Sequence, residues 1–227
     1  MTTVVAIQGD GFTVLGTDSR ISSIDSDGFV SRMHTVSSNM SKIAQVSGML
    51  IGVAGDVRAI NLISYSLAVP PAPHSLKGKK LDEYVTNKFI PALRHCFEAN
   101  GYSPPPKESA EHTAEHGSEI LLSVNATVYQ IDNDYSWSND ASGLYAIGTG
   151  GQYAVGALAA LIKGKIDTHI SAKKHCLNSL AIAAKFDPHT GHPYQTYHQE
   201  AVPGRKPANP GTETKTISKS RTGKATK

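Results

Sequence analysis

The sequence predicts an α+β protein arranged as a sandwich, with two β layers and two pairs of helices. Short β-type runs come in two blocks, one before residue 55 and one between residues 119 and 147, instead of alternating singly with helices. Each block is followed by two stretches that carry apolar residues at helical spacing. Strands and helices in separate blocks fit packed layers better than βαβ units. With 227 residues, 39% of them hydrophobic, the chain is long enough for one domain with a proper core.

The elements follow in order. Thr3 to Ile7 and Phe12 to Asp18 are β-type runs around Gln8-Gly9-Asp10-Gly11, and Asp-Gly between such runs predicts a hairpin. Phe29 to His34 and Ser41 to Val46 read as a further pair of strands. Met49 to Ala54 is a continuous apolar run and predicts a buried strand ending at Gly55. From Asp56 the period becomes helical, with Val57, Ile60, Leu62, Ile63 and Leu67 on one face, until Val69-Pro70-Pro71-Ala72-Pro73 stops it. A second helix runs from about Leu81 to Phe97, and Pro91 inside it predicts a kink. Gly101 to Gly117 is a polar, proline-bearing loop. Glu119 to Val124 and Thr127 to Ile131 predict another hairpin, and Gly143 to Ile147 a further strand. Helices over Tyr153 to Ile162 and Ile170 to Phe186 follow, and Tyr194 to Ala201 reads as a last strand.

Charge divides the chain. Residues 204–227 hold seven Lys/Arg and one acid, Glu213, a net +6, which leaves residues 1–203 at −3 within a total of +3. That segment is rich in Gly, Pro, Thr and Ser, and Ile217 is its one large aliphatic residue. It cannot bury enough surface to offset the entropy of ordering, so the sequence predicts a domain over 1–203 and a disordered basic tail over 204–227. Such a tail solubilises, and it can contact polyanions weakly.

The two cysteines, Cys96 and Cys176, form no disulfide framework. The N-terminus lacks the basic and apolar regions of a signal peptide, and no apolar stretch approaches the ~20 residues of a membrane span. These features predict a cytoplasmic protein without a membrane segment.

Thr2 stands directly behind Met1. Removal of that methionine would leave a hydroxyl and a free α-amine on one residue. A nucleophile and its base would then share a single amino acid, a recognised form of nucleophilic catalysis.

Five blocks occur in order: Thr2-Thr3-Val4-Val5-Ala6, Gly16-Thr17-Asp18-Ser19-Arg20, Ser41-Lys42-Ile43, Gly52-Val53-Ala54-Gly55-Asp56, and Tyr145-Ala146-Ile147-Gly148-Thr149-Gly150-Gly151-Gln152-Tyr153-Ala154. Together they resemble the proteasome β-subunit family, including its bacterial relative HslV and other N-terminal nucleophile (Ntn) hydrolases, over residues 2 to 200. The resemblance implies a four-layer αββα sandwich, in agreement with the element order. It also implies a threonine-type endopeptidase that assembles into rings of identical subunits and cleaves peptides or unfolded proteins inside a chamber. A separate ATPase unfoldase is implied by analogy alone. No cofactor or metal is implied.

By the same resemblance Thr2 is the nucleophile. Asp18 lies sixteen residues after it, the family spacing, with Arg20 two further on. In one extended strand those two side chains face the same side. In the family the aspartate pairs with a lysine and the arginine buttresses the site. Lys42 is the only lysine before Lys77 and takes the lysine role. A buried cation beside an amine disfavours the ammonium form and so suits a general base. Lys42 lies later than the family norm, and the extra length falls in Ser22 to Val36, a polar stretch able to form a longer hairpin. Gly55 matches the glycine whose N–H faces the scissile carbonyl, a donor aimed at developing charge. Thr149 stands where relatives carry a serine beside the threonine amine. Asp187 with Thr190 matches an aspartate and a serine three residues on that support the amine, with threonine here in place of serine. Val53 falls where relatives line the pocket for the residue preceding the cut, and an apolar lining suits apolar side chains.

Rival patterns are weaker. His112-Thr113-Ala114-Glu115-His116 fits H-x-x-E-H, the inverted zinc-protease pattern. Pro104-Pro105-Pro106 upstream and Gly117 directly after leave barely one turn to hold two ligands on one face. Gly148-Thr149-Gly150-Gly151 resembles a phosphate loop only superficially, and no G-x-x-x-x-G-K-[ST] occurs. His189, His192 and His198 are too irregularly spaced for a zinc site. Two other functions fit the same fold: a catalytically inactive scaffold subunit of a ring, and a small-amide Ntn amidohydrolase. Retention of Thr2, Asp18 and Lys42 argues against the scaffold, which needs none of them.

Overall fold

Thr3–Gln8 (β1) and Phe12–Thr17 (β2) pair antiparallel across the Asp-Gly turn, with Gln8 opposite Thr13. This hairpin is the centre of a computed structural model that describes residues 2–24, 27, 30–37, 39–102, 116–164, 166 and 168–201. The strands Arg20–Ile24 (β3), Val30–Thr35 (β4), Ile43–Val46 (β5) and Met49–Gly55 (β6) follow. Then come the helix Val57–Ser66 (α1) and a long helical rod made of Lys79–Tyr84 (α2), a π-helical turn over Val85–Phe89, and Ile90–Ala99 (α3). The second half contains Ser118–Val124 (β7), Thr127–Ile131 (β8), Trp137–Ser138 (β9), Leu144–Gly148 (β10), Gly151–Leu161 (α4), His169–Phe186 (α5) and Gln195–Glu200 (β11).

Two antiparallel sheets stack, one ordered β10-β1-β2-β11 and the other β5-β6-β7-β8-β9. β1 is apolar from Val4 to Ile7 because both of its faces are covered. Val4 and Ala6 meet Leu15, Ile43, Leu50, Leu121 and Ile147 between the sheets. Val5 and Ile7 point the other way, onto Leu158, Ala172, Cys176 and Leu180 of α4 and α5. The second sheet repeats the scheme, with Met49, Ile51 and Val53 packed on Ile60, Ile63, Phe89, Leu93 and Phe97 of α1 to α3. The period-2 alternation of β1 and β6 therefore serves two cores at once, and the layers run α, β, β, α.

Local chemistry sets the helix ends. Asp56 caps α1 by accepting from the Arg58 N–H at 2.8 Å, and Thr168 caps α5 by accepting from Ser171 at 3.2 Å. The rod after Lys79 departs from the expected kink at Pro91. Its irregularity lies one turn earlier, in the π turn, and Pro91 falls in the first turn of α3. A proline ring collides with the carbonyl four residues back in an α-helix, and a π turn relieves that conflict locally.

A second departure concerns strand pairing. The strand Val30–Thr35 does not pair with Ile43–Val46. β4 pairs with β3, and β5 with β6. All six residues of β4 are exposed, whereas Ile43 and Ala44 of β5 are buried. β4 has no apolar face to contribute to a core, so it folds back as an outlying hairpin, the longer hairpin expected of residues 22–36. The proposed tail over 204–227 lies outside the described residues. No described helix is long and apolar enough to cross a membrane.

Candidate active site

Asp18 sits where β2 gives way to β3, not inside one strand. Its carboxylate is fully engaged there. Oδ1 accepts from the Thr3 N–H at 3.0 Å and from Lys42 Nζ at 2.7 Å, and Oδ2 accepts from the Arg20 N–H at 2.9 Å and the Gly191 N–H at 3.0 Å. One aspartate thus ties together the start of β1, the end of β2 and the loop after α5. Charge-assisted bonds of this kind are the stronger class.

Lys42, just before β5, is 3% exposed. Its ammonium donates to Asp18 and, at 2.5 Å, to the Arg20 carbonyl. An ammonium has three donors, and the third has no partner among the described residues. Burial pulls the Lys42 pKa below its ordinary value of 10.5, and the Asp18 charge resists that shift. Lys42, Thr2 and Gly55 line one small cavity whose walls are otherwise mostly apolar, with Ile21, Val53 and Ile60 among them. Val53 lies on the apolar wall of the cavity that Thr2 also lines.

Arg20 does not reach into that cavity. Its side chain donates to the Pro188 carbonyl at 2.7 Å and straps the loop after α5 to β3. On the other side of the terminus, Asp187 caps the end of α5, where its Oδ2 accepts from Thr149 Oγ1 at 2.9 Å and from Thr190 Oγ1 at 2.6 Å. Thr190 Oγ1 is also 2.6 Å from Thr3 Oγ1. A hydroxyl has one proton, and that of Thr190 goes to Asp187, so Thr3 donates to Thr190. The result is a buried chain, Thr3 to Thr190 to Asp187, with Thr149 joining at the carboxylate.

Thr2, Gly55 and Thr149 share the rim of a cleft of about 820 Å³. Thr2 is 5% exposed, while Gly55 and Thr149 are open to solvent. Gly55 ends β6 at φ +126°, a conformation available to glycine and rarely to other residues. The site residues read from the sequence thus form one constellation. Thr2, Lys42, Gly55 and Thr149 face cavities, Asp18 and Asp187–Thr190 brace them from behind, and Arg20 holds the bracing loop.

Three participants were not singled out from the sequence. Gly148 is opposite Thr3 in the β1–β10 register and abuts the Thr2 carbonyl so closely that a Cβ there would overlap the oxygen. Thr3 reads in the sequence only as the start of a strand. Gly191, a donor to Asp18, carries no signal in the sequence.

His112 to Glu115 lie outside the described residues. His116 is buried between Phe97 and Tyr135, with ring centroids 5.4 and 4.7 Å away, and burial lowers its pKa to about 4. One group of metal-ligating side chains exists among the described residues: His169, His198 and Glu200. Glu200 pairs with Phe12, at the far end of β2 from Asp18. The His169 and His198 rings stack at 4.7 Å with planes 13° apart, so their in-plane lone pairs do not converge on one ion.

No protein-family model matches the sequence, and no curated protein matches it. Solved structures do. BPH of Thiobacillus denitrificans in complex with epoxomicin superposes with a TM-score of 0.66 at 19% identity, over 89% of this chain and 100% of that one. BPH from a second structure gives 0.66 at 17% identity with the same coverage. The eukaryotic HslV of Trypanosoma brucei gives 0.55 at 20% identity, over 88% of this chain and 99% of that one. The layers, the sheet order and these superpositions agree: the chain has the αββα fold of the proteasome- and HslV-like Ntn hydrolases.

Proposed function

We propose that this chain is a threonine-type endopeptidase, with Thr2 as nucleophile once the Met1–Thr2 bond has been cleaved. The observation that carries the reading is the buried Lys42–Asp18 pair, whose ammonium lines the same cavity as Thr2. Thr2 Oγ1 attacks the peptide carbonyl and its own α-amine accepts the proton, directly or through a water. Lys42 supplies a positive charge beside that amine, which disfavours the ammonium and keeps the amine unprotonated, and so able to accept the proton, near neutral pH. The Gly55 N–H is the donor for the oxyanion of the tetrahedral intermediate. The protonated amine then delivers its proton to the leaving nitrogen, and water hydrolyses the resulting Thr2 ester. Thr149 and the Asp187–Thr190 pair fix the amine side of the site.

The fold supports a wider expectation. Rings of identical subunits would enclose the active sites and admit only threaded or unfolded chains, fed by a separate ATPase. The expected compartment is the cytoplasm, with residues 204–227 free to touch polyanions. These parts rest on analogy of fold.

Peptide hydrolysis by the mature protein against Thr2→Ala tests the reading, with intact mass confirming the loss of Met1. Equal rates refute Thr2 as nucleophile. Inactivity of both proteins, with Met1 removed, leaves the scaffold subunit as the better description.

A further inference from the structure

Gly55, the proposed oxyanion donor, sits at a soft point of the chain. It has no side chain, its φ is +126°, and it lies where β6 ends and α1 has not begun. Val53, two residues earlier, donates its N–H to the Lys42 carbonyl at 3.0 Å. Amides two apart in an antiparallel strand point to the same edge. The Gly55 N–H therefore leaves β6 on the side of β5, toward the cavity that Gly55 lines with Thr2 and Lys42. Such a donor is effective when its orientation is set before the reaction.

The other edge of β6 shows what holds it. Gly55 pairs with Ser118, the first residue of β7. A Cβ on Gly55 would come within 2.5 Å of the Gly117 carbonyl oxygen and 2.8 Å of Ser118 Oγ, so the bare backbone lies close against β7. The next amide, that of Asp56, donates to Ser118 Oγ at 3.2 Å. The Ser118 hydroxyl is 2.9 Å from Tyr102 Oη, in a second hydrogen bond. Tyr102 is itself anchored. Its N–H donates to the Phe97 carbonyl at 2.9 Å, and its ring meets that of buried Phe97 edge-on, with centroids 4.7 Å apart. A line of contacts thus runs from the core through Tyr102 and Ser118 to the turn at Gly55, and the proposed chemistry uses neither hydroxyl.

We propose that Ser118 and Tyr102 are positioning residues for the Gly55 N–H. Tyr102 fixes the Ser118 hydroxyl, and that hydroxyl fixes the Gly55–Asp56 turn, so the donor is aimed before substrate arrives. Both act through the backbone and not on the reacting atoms. The inference rests on the peptidase reading for the role of the donor, but the hold on the turn is a property of the folded chain alone.

The test compares the mature full chain with Ser118→Ala, Tyr102→Phe and the double variant in steady-state peptide hydrolysis, with thermal melts verifying that each folds. Loss of an interaction made only in the transition state lowers kcat and kcat/KM together. Ser118→Ala is expected to lower kcat by about tenfold or more, short of the ~10²–10³ lost with a whole oxyanion donor, while KM stays within about twofold. Tyr102→Phe keeps the ring on Phe97 and loses less. It adds nothing in the double variant, because it acts only through Ser118. If Ser118→Ala fails to fold, Tyr102→Phe alone carries the same split between kcat and KM. Hydrogen exchange read by mass spectrometry on Thr2→Ala needs no catalysis. Adding Ser118→Ala should speed exchange in the fragment that holds Gly55–Asp56 and leave β1 and β2 unchanged. Ser118 also lines the cleft, so a raised KM with kcat kept would mean that its hydroxyl touches substrate instead, and overturns the proposal. Additive losses or unaltered exchange overturn it as well. Thr2-dependent cleavage at the parent rate in Ser118→Ala sinks the positioning role and leaves the peptidase. Faster exchange at Gly55–Asp56 in a chain without Thr2-dependent cleavage sinks the peptidase and leaves the hold on the turn.

Discussion

Lys42 Nζ lies 2.7 Å from Asp18 Oδ1, with the two side chains 4% and 0% exposed. A pair this dry is held by mutual dependence. Removing one partner strands the other as a buried, uncompensated charge, which costs about 3–5 kcal/mol. Asp18→Asn is therefore predicted to lower the free energy of unfolding by that amount in urea titrations. The Asp18→Asn/Lys42→Met double variant should recover most of the loss, since no charge is then left buried. Hydrolysis should be absent from both. If Asp18→Asn proves as stable as the parent protein, the pair is not the internal brace described here.

Thr190 offers a finer probe. Its hydroxyl sits between Asp187 and Thr3 at 2.6 Å from each. Thr190→Val keeps the shape and deletes both bonds, leaving buried polar groups short of a partner at a cost of about 1–3 kcal/mol. Thr190→Ser keeps the hydroxyl, so its melting temperature and peptide hydrolysis should stay close to the parent values while Thr190→Val loses both. Equal behaviour of the two variants would show that the hydroxyl chain has no role.

Gly148 controls where Thr2 sits. At φ +87° the position already disfavours a side chain, and a Cβ would overlap the Thr2 carbonyl oxygen. Gly148→Ala must push Thr2 away from Lys42 and Gly55. Displacement by ~1 Å is enough to cost roughly 10²-fold in rate, and a loss of at least that size is predicted for kcat. Gly156→Ala is the control, since nothing lies within 4 Å of a Cβ at that position inside α4. It should match the parent rate and gain slightly in stability.

The particular residues show what a sequence can and cannot reveal. The β1–β2 hairpin was legible because Asp-Gly separates two apolar runs, and the layers followed from the block order of strands and helices. The candidate site residues stand out in the sequence through the order and spacing of short blocks, and the fold brings Thr2, Lys42, Gly55 and Thr149 to shared cavities. The partner of β4 was not legible. A strand exposed at all six positions carries no burial pattern from which pairing can be read. Gly191 is likewise uninformative until the loop after α5 presents its N–H to Asp18.

His116 gives the fold a pH dependence with a definite sign. Burial among Phe97 and Tyr135 lowers its pKa to about 4, against 6.5 for the free side chain. Between those values the unfolded chain binds a proton that the folded chain refuses. Unfolding is then favoured as the pH falls. The contribution of His116 is complete above pH 6.5, declines through the interval, and is gone by about pH 4. At ~1.36 kcal/mol per pKa unit the total approaches roughly 3 kcal/mol. Denaturant titrations from pH 7 to 4 on the parent and His116→Gln should diverge accordingly, with the parent falling more steeply because glutamine does not titrate. Parallel stability curves would mean that the imidazole charges without resistance, and that the pocket around it is wetter than the structure describes.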